Sequence, residues 1–396
     1  MTSALSSAAR GLLAPVYVPW VGMALCLGML SVALPLYLTE VGMSYLSLSA
    51  VLTAVGVGSM VGGVPAGDLV ARLGERWMLV AGVTTLFVTT VSLAASEEMV
   101  VLASLQFIAG VGAIALRLAG QTWIARTTES HHRGRLLSAM GGIRRFGAFI
   151  GPFLAGLSID RLGFTATFVI AGALAGIGLI PLLASAGSEG EPVPQVRLPL
   201  RDVLARHWRL LLVATSGPIL IMAARRGRSV VLPLIGDDLG LSPITVGLLV
   251  SVSTGADLLL FPVAGYLMDA FGRLTAIVPA FTLMGIGLFA LSLADGGLPV
   301  ALAGALIGVG NGLSSGTMMT LGADLAPEDS TSQFLAGFAS LQDWGQIAGP
   351  LLVGWVAAGA GLAASAAALG VVLFIGVGLI VWTVGETGTA PAGRAG

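Results

Sequence analysis

The stretch GAFIGPFLAG, residues 147–156, returns 198 residues later as GQIAGPLLVG, residues 345–354. At the same offset, which is half of the 396-residue chain, LPLYLTEVG at 34–42 falls on LPLIGDDLG at 232–240. A fixed offset that aligns glycines and prolines without a gap indicates an internal repeat. The sequence therefore predicts two halves of common architecture. In the first pair of stretches the aligned positions are Gly147, Gly151 and Pro152 with Gly345, Gly349 and Pro350.

The composition places both halves in a membrane. Hydrophobic residues make up 56% of the chain and charged residues 10%, and the mean hydropathy is +0.96, which leaves too little polar surface for a water-soluble protein. A helix needs roughly 20 apolar residues to cross the hydrocarbon layer. We therefore predict an all-α integral membrane protein with twelve spans. They lie at about 15–38, 44–70, 77–95, 99–124, 136–158, 164–186, 209–235, 242–268, 275–294, 298–324, 331–357 and 360–384.

One long polar interruption, residues 188–209, divides these spans six and six. Its second part, PLRDVLARHWR at 199–209, mixes Leu and Trp with Arg, a composition typical of a helix that lies on the membrane surface. The predicted domains are an N-terminal six-helix half at 1–186, a cytoplasmic linker at 187–208, a C-terminal six-helix half at 209–384 and a cytoplasmic tail at 385–396.

Arginines outside the spans gather on one side of the predicted membrane, with Arg161 alone on the other. By the positive-inside rule, both termini and the linker are expected in the cytoplasm. No small-residue cleavage site follows the first apolar run, so we expect no cleaved signal peptide. The arginines on the majority side are Arg10, Arg72, Arg76, Arg126, Arg133, Arg135, Arg197, Arg201, Arg206, Arg209, Arg273 and Arg394.

Ionisable residues inside the predicted spans are the strongest functional signal. Each arginine at the centre of a span costs about 2.5–3.5 kcal/mol on insertion scales, so such residues need partners or water. The shared architecture does not require them, because Arg225 and Arg228 fall on Leu27 and Leu30 of the first half. The arginines are Arg117 in span 4, Arg144 and Arg145 in span 5, and Arg225, Arg226 and Arg228 in span 7; the carboxylates are Asp257 in span 8 and Asp343 in span 11.

Two interpretations of these charges remain open. In one, the arginines line a wet cavity and bind the carboxylate or phosphate of a substrate, because two carboxylates cannot neutralise six arginines. In the other, they pair with Asp257 and Asp343 and never touch a substrate, which is most plausible for Arg144 and Arg145 near the membrane edge. Arg225 and Arg228 are three residues apart and share a helix face, so Asp257 is the expected partner of one of them.

Other polar residues in the spans are weaker candidates. Asn311 in span 10 suits an interhelical hydrogen bond as well as a ligand contact. Trp344, beside Asp343, either packs or stacks on a substrate. His131, His132 and His207 show no metal-ligand spacing, so we expect solvated loop residues and no metal site. No phosphate-binding loop or nucleophile motif is present, and the chain is not expected to be an enzyme.

With these features the whole chain resembles the major facilitator superfamily of secondary transporters. The family's loop between helices 2 and 3 reads Gly-x-x-x-Asp-Arg-x-Gly-Arg-Arg and commonly returns between helices 8 and 9. The second copy keeps Gly265, Asp269, Gly272 and Arg273. The first keeps Gly67, Arg72, Gly74 and Arg76, but Ala71 stands where the aspartate belongs and Glu75 replaces a basic residue. Asp68, one turn earlier on the same helix face, is the candidate replacement for the missing carboxylate.

The resemblance implies a function as well as a fold. The pattern around Gly147, Gly151 and Pro152 is similar to a motif of proton antiporters, although close helix packing alone explains it equally well. We therefore expect proton-coupled export of an anionic or amphiphilic small molecule by alternating access, with Asp257 or Asp343 as the proton carrier beside an arginine. The alternatives are uptake or exchange of an organic anion through an arginine-lined cavity, and a membrane receptor that transports nothing.

The resemblance also sets expectations for the protein's surroundings. Its partners would be the lipid bilayer and a small-molecule substrate, with no nucleic acid and no cofactor, and a proton gradient would supply the energy. We expect a monomer with multiple passes through a bacterial inner membrane.

Overall fold

The computed structural model describes residues 13–184 and 200–387, which are almost entirely helical. Part of the predicted linker, 187–199, and the end of the predicted tail, 388–396, lie outside the described residues, as do Arg10, Arg197 and Arg394. The first half contains α1 (Val18–Glu40, preceded by a π-helical turn, Leu13–Tyr17), α2 (Tyr45–Leu73), α3 (Glu75–Ser92), α4 (Met99–Thr127), α5 (130–162) and α6 (164–176, then Leu179–Ala184). The second half contains α7 (Leu200–Asp238), α8 (Pro243–Phe271), α9 (Arg273–Ser292), α10 (Gly297–Leu313, then Thr317–Asp324), α11 (331–360) and α12 (362–383).

Ten helical stretches in the described ranges are long and apolar enough to cross a membrane, and two of them contain more than twice the required number of residues. The helical stretches His131–Ala184 and Gln333–Thr383 contain 54 and 51 residues, so an unbroken helix of either would be roughly 80 Å long against a hydrocarbon core of about 30 Å. Each breaks at a glycine with positive φ, Gly163 at 80° and Gly361 at 87°, and these glycines separate α5 from α6 and α11 from α12. The twelve predicted spans are therefore confirmed.

The helices pack as two compact units, and the residues of α8 are divided between them. The first unit contains α1–α6 and Ser242–Ser251 of the α7–α8 region; the second contains α7, the remainder of α8 and α9–α12. The predicted surface segment at 199–209 is helical from Leu200 and forms the start of α7, which kinks at His207, where φ is −110° and ψ is 17°.

The repeated glycines are helix-packing positions in both units. A Cβ atom at Gly151 of α5 would lie 2.5 Å from the carbonyl carbon of Gly28 in α1. A Cβ atom at Gly349 of α11 would lie 2.8 Å from the backbone nitrogen of Gly227 in α7. Real Cβ atoms do not approach backbone this closely, so only glycine allows the two backbones to touch. The first-to-fifth helix contact is thus reproduced as a seventh-to-eleventh contact.

Candidate functional site

Two glycines of α10 bring its backbone against α8 in the second unit. A Cβ atom at Gly308 would lie 2.8 Å from the carbonyl carbon of Ser253, and one at Gly312 would lie 2.7 Å from the carbonyl oxygen of Asp257. This close approach places Asn311 beside Asp257, and the Asn311 amide Nδ2 donates a 2.8 Å hydrogen bond to Asp257 Oδ2. Both side chains are buried, with 5% of Asn311 and 9% of Asp257 exposed.

Arg225 of α7 completes a chain of hydrogen bonds across three helices. Its Nε donates to Asn311 Oδ1 at 2.8 Å, so the amide of Asn311 accepts from a cation and donates to an anion. Bonds that involve an ionised group are stronger than those between neutral groups. The expected proximity of Asp257 to the α7 arginines is present, with Asn311 as the bridge to Arg225.

Arg228 lies on the same face of α7, three residues beyond Arg225. Its Nη1 donates to Ser253 Oγ at 3.5 Å, the outer limit of a hydrogen bond, and its guanidinium interacts electrostatically with Asp257. Ser253 and Asp257 are four residues apart on α8 and therefore share one helix face. Two partly buried arginines and one buried carboxylate thus lie near one another, where charges interact more strongly than they do in bulk water.

Arg226 points to a different face of α7 and joins a second chain of hydrogen bonds. Its Nε and Nη2 both donate to Gln346 Oε1 of α11, at 2.8 and 2.6 Å, and Gln346 Nε2 donates to Asp343 Oδ1. Arg226 is exposed, and Trp344, which follows Asp343 in the sequence, is 56% exposed. The two predicted carboxylates therefore belong to separate hydrogen-bond chains, each beginning at an α7 arginine.

The first unit repeats this helix packing, but the position equivalent to Asp257 is uncharged. At the position of Asp257 it carries Ser59, whose Oγ donates to the backbone oxygen of Gly110 at 3.1 Å. A Cβ atom at Gly110 would lie 2.8 Å from the Ser59 nitrogen, which matches the close contact between α8 and α10. The remaining predicted arginines are side chains of α4 and α5: Arg117 and Arg144 are exposed and Arg145 is partly buried.

The predicted gating loops are tight turns at equivalent positions. Gly74 between α2 and α3 and Gly272 between α8 and α9 have φ of 81° and 94°, a conformation that favours glycine. Arg76 donates from Nε to the Leu182 carbonyl at 2.9 Å and from Nη2 to the Leu183 carbonyl at 3.1 Å, near the end of α6, where a cation is favoured. Other members of the predicted set are placed as follows: Asp68 is partly buried, Arg72 is exposed, a Cβ atom at Gly67 or Gly265 would meet open space, and Asp269 lies near the end of α8.

In each unit, an ion pair joins the first residue after this turn to the end of a later helix, which is α4 in the first unit and α10 in the second. In the first unit, Glu75 Oε1 lies 2.6 Å from Arg126 Nη1 at the end of α4. In the second, Arg273 Nε donates to Asp324 Oδ2 at 2.9 Å at the end of α10. No signal in the sequence pointed to Arg126 and Asp324 as partners of these residues, because each lies 51 residues from the residue that it pairs with.

Ser253 and Gln346 are two further residues of the hydrogen-bond chains that the sequence analysis did not select. Ser253 lies one helical turn before Asp257, and Gln346 lies three residues after Asp343. Helical spacing from each carboxylate is therefore the signal that could have found them.

Comparisons with known proteins agree with this architecture. The sequence profile of the Major Facilitator Superfamily matches residues 21–224 and 214–395. An "uncharacterized MFS-type transporter" of Mycobacterium tuberculosis is 25% identical over 375 residues, which cover 85% of this chain and 84% of the relative. Another protein of that description from the same organism is 29% identical over 195 residues, so the match spans 49% of this chain but only 27% of that relative.

More distant similarities extend to an amine transporter and to solved structures. The synaptic vesicular amine transporter of Homo sapiens is 28% identical over 148 residues, 37% of this chain and 29% of the relative. The crystal structure of a D-xylose–proton symporter superposes with a TM-score of 0.76 over 95% of this chain and 98% of that chain, at 18% identity. A POT family transporter in complex with a thioalcohol-conjugated peptide gives 0.74 over 94% and 95%, at 15% identity. At these identities the structures establish the common fold.

Proposed function

The chain belongs to the major facilitator superfamily of transporters, and we propose that it exports an anionic or amphiphilic small molecule by proton-coupled transport. The observation that carries this proposal is the chain of hydrogen bonds from the partly buried Arg225 through Asn311 to the buried Asp257. An ionisable group inside a membrane helix is costly, and such groups commonly mark substrate and proton pathways. In this proposal Asp257 carries the proton.

Protonation of Asp257 would change what its neighbours can bind. The ionised carboxylate accepts a hydrogen bond from Asn311 and attracts Arg228, which keeps the α7 arginines turned toward α8 and α10. A neutral carboxyl group loses most of that attraction, because the guanidinium then faces a dipole in place of a charge. Arg225 and Arg228 are then available to an anionic substrate, so that proton binding and substrate binding are linked.

The charge balance of the second unit supports an anionic substrate group. Three α7 arginines face two carboxylates, Asp257 and Asp343. A guanidinium binds a carboxylate or phosphate through two parallel hydrogen bonds, which gives both affinity and orientation. The human relative is named for an amine, but an amine would be repelled by this excess of arginine. The exposed Trp344 side chain, which follows Asp343 on α11, would supply an apolar surface for an amphiphilic substrate.

A test uses purified protein in liposomes with an imposed pH gradient, carboxyfluorescein as the anionic probe and ethidium as the cationic one. The wild-type protein should move carboxyfluorescein at a rate that depends on the gradient, and Asp257→Asn should lose that dependence because its side chain cannot ionise. Asp343→Asn is the matched control in the second hydrogen-bond chain and should keep gradient-driven transport.

Each of the other outcomes would contradict one specific part of the proposal. Gradient-driven transport in both variants would reject a carboxylate as the proton carrier, and its loss in Asp343→Asn alone would move that role to Asp343. Transport of ethidium without carboxyfluorescein would reject the anionic substrate. Probe binding with no flux in any gradient would favour the receptor alternative.

A further inference from the structure

Three metal-ligating side chains converge at the start of α5, far along the chain from the site described above. One ligand atom from each of Glu129, His131 and His132 lies within 4.8 Å of the other two. The Nδ1 atom of His131 is 3.5 Å from Glu129 Oε2, and the two imidazole rings have centroids 3.7 Å apart. Within the ranges that the structure describes, this is the group whose side chains are close enough to share a metal ion.

The local backbone explains the convergence. Glu129 is the residue before the first helical turn, with φ of −60° and ψ of 147°, and the His132 nitrogen donates to the Glu129 carbonyl at 3.0 Å. Side chains at the cap position and at the third helical position approach each other in such a turn, as in a capping box. The cluster therefore arises from cap geometry, which a search for ligands four residues apart on one helix face does not detect.

We infer that Glu129, His131 and His132 form a binding site for a divalent transition-metal ion of the Zn²⁺ type. Bonds of about 2.0–2.2 Å in tetrahedral geometry place ligand atoms roughly 3.3–3.6 Å apart, and the His131–Glu129 distance already falls in that range. The side chains of Glu129 and His131 are 77% and 61% exposed, so small rotations bring the third ligand in and leave a coordination position for water.

The surrounding charges favour this choice of ion. Neutral imidazole nitrogen suits Zn²⁺, Ni²⁺ and Cu²⁺, whereas Mg²⁺ and Ca²⁺ prefer oxygen ligands. The Glu129 carboxylate offsets the positive end of the α5 dipole, which alone would repel a cation. The neighbouring Arg133 is held by the backbone, since its Nε donates to the Thr128 carbonyl at 2.8 Å.

Few other side chains could bind Zn²⁺ through nitrogen or sulfur, because the chain contains three histidines and one cysteine, and Cys26 is buried. The full-length protein, purified in detergent without a histidine tag and freed of metal, is titrated with Zn²⁺ in a calorimeter. We expect one Zn²⁺ per chain and an affinity at least tenfold weaker in His131→Ala/His132→Ala. His207→Asn is the matched control, because His207 lies at the α7 kink, and it should bind as the wild type does.

Further variants make every outcome decisive. Glu129→Gln should weaken binding severalfold while Co²⁺ absorption still reports nitrogen ligands, and an excess of Mg²⁺ should not compete. Asp257→Asn should bind Zn²⁺ as the wild type does. The test of the metal site is therefore independent of the test of Asp257 as the proton carrier. Absence of saturable binding in the wild type would overturn the inference. Unchanged binding in the folded double-histidine variant, or in the single variants His131→Asn and His132→Asn if the double variant does not fold, would overturn it equally.

Discussion

Glu75 and Arg126 form an ion pair, and the positions 198 residues later form the same pair with the signs exchanged. Glu75 Oε1 lies 2.6 Å from Arg126 Nη1, and Arg273 Nε lies 2.9 Å from Asp324 Oδ2. The departure of Glu75 from the family's basic residue is therefore compensated within its own unit. Both halves thus have an ion pair between the turn and the helix end. The residue at the turn is acidic in the first half and basic in the second.

Reversing the first pair should be tolerated, because the second unit already uses that arrangement. Glu75 is 7% exposed, so Arg126→Gln leaves a nearly buried carboxylate without its cation and should destabilise the protein by about 3 kcal/mol. The double variant Glu75→Arg/Arg126→Asp should recover most of the loss. Thermal melting in detergent measures both effects. A double variant less stable than Arg126→Gln would contradict this expectation. It would show that the contact requires the acidic residue at position 75 and the basic residue at position 126.

Asn311 is the second target, because its amide connects Arg225 with Asp257. Asn311→Ala removes one hydrogen-bond partner from each of two charged groups, at a cost of about 1–3 kcal/mol. Because Arg225 then no longer responds to the state of Asp257, gradient-driven transport in liposomes should fall at least tenfold while gradient-independent exchange is less affected. Ser314→Ala, directly after the helix segment that carries Asn311, is the control: its hydroxyl donates to the Asn311 backbone oxygen and not to the side chain, so transport should persist. Equal losses in the two variants would indicate general damage to α10.

The glycine contact between α11 and α7 gives a prediction about assembly of the second unit. Gly349→Val places a Cβ atom 2.8 Å from the Gly227 nitrogen, so the two helices must separate. We expect severe loss of folded protein in fluorescence-detected size-exclusion chromatography. Gly359→Val, on the same helix, meets nothing within 4 Å and should fold normally. Normal folding of both variants would mean that this contact is dispensable.

The repeat and the apolar runs predicted the fold because both reflect requirements that every part of the chain shares. A span must reach about 30 Å, and helices that touch through their backbones need glycine at fixed positions. The positions of Arg225, Arg228 and Asp257 on their helices followed from helical spacing alone. Their connection through Asn311 did not, because it depends on how closely Gly308 and Gly312 let α10 approach α8. The cluster of Glu129, His131 and His132 could not be predicted for a related reason. Its side chains are brought together by the geometry of a helix cap and not by helical spacing.

The Glu386 side chain caps the N-terminus of α9, whose own cap residue has no side chain to do so. The residue before α9 is Gly272, which has no side chain to cap the helix, and the Glu386 carboxylate instead accepts from the Arg273 nitrogen at 2.7 Å and the Leu274 nitrogen at 2.9 Å. An anion at a helix N-terminus is favoured, and losing such a cap costs about 0.5–2 kcal/mol. Glu386→Ala should therefore speed hydrogen exchange at the first amides of α9 while leaving α3 unchanged, because α3 carries its own acidic residue, Glu75, in its first turn. Thr387→Ala removes only the neighbouring bond to Asp324 and should leave exchange at the α9 amides slow. Unchanged α9 exchange in Glu386→Ala would show that water caps this helix as well as the carboxylate does.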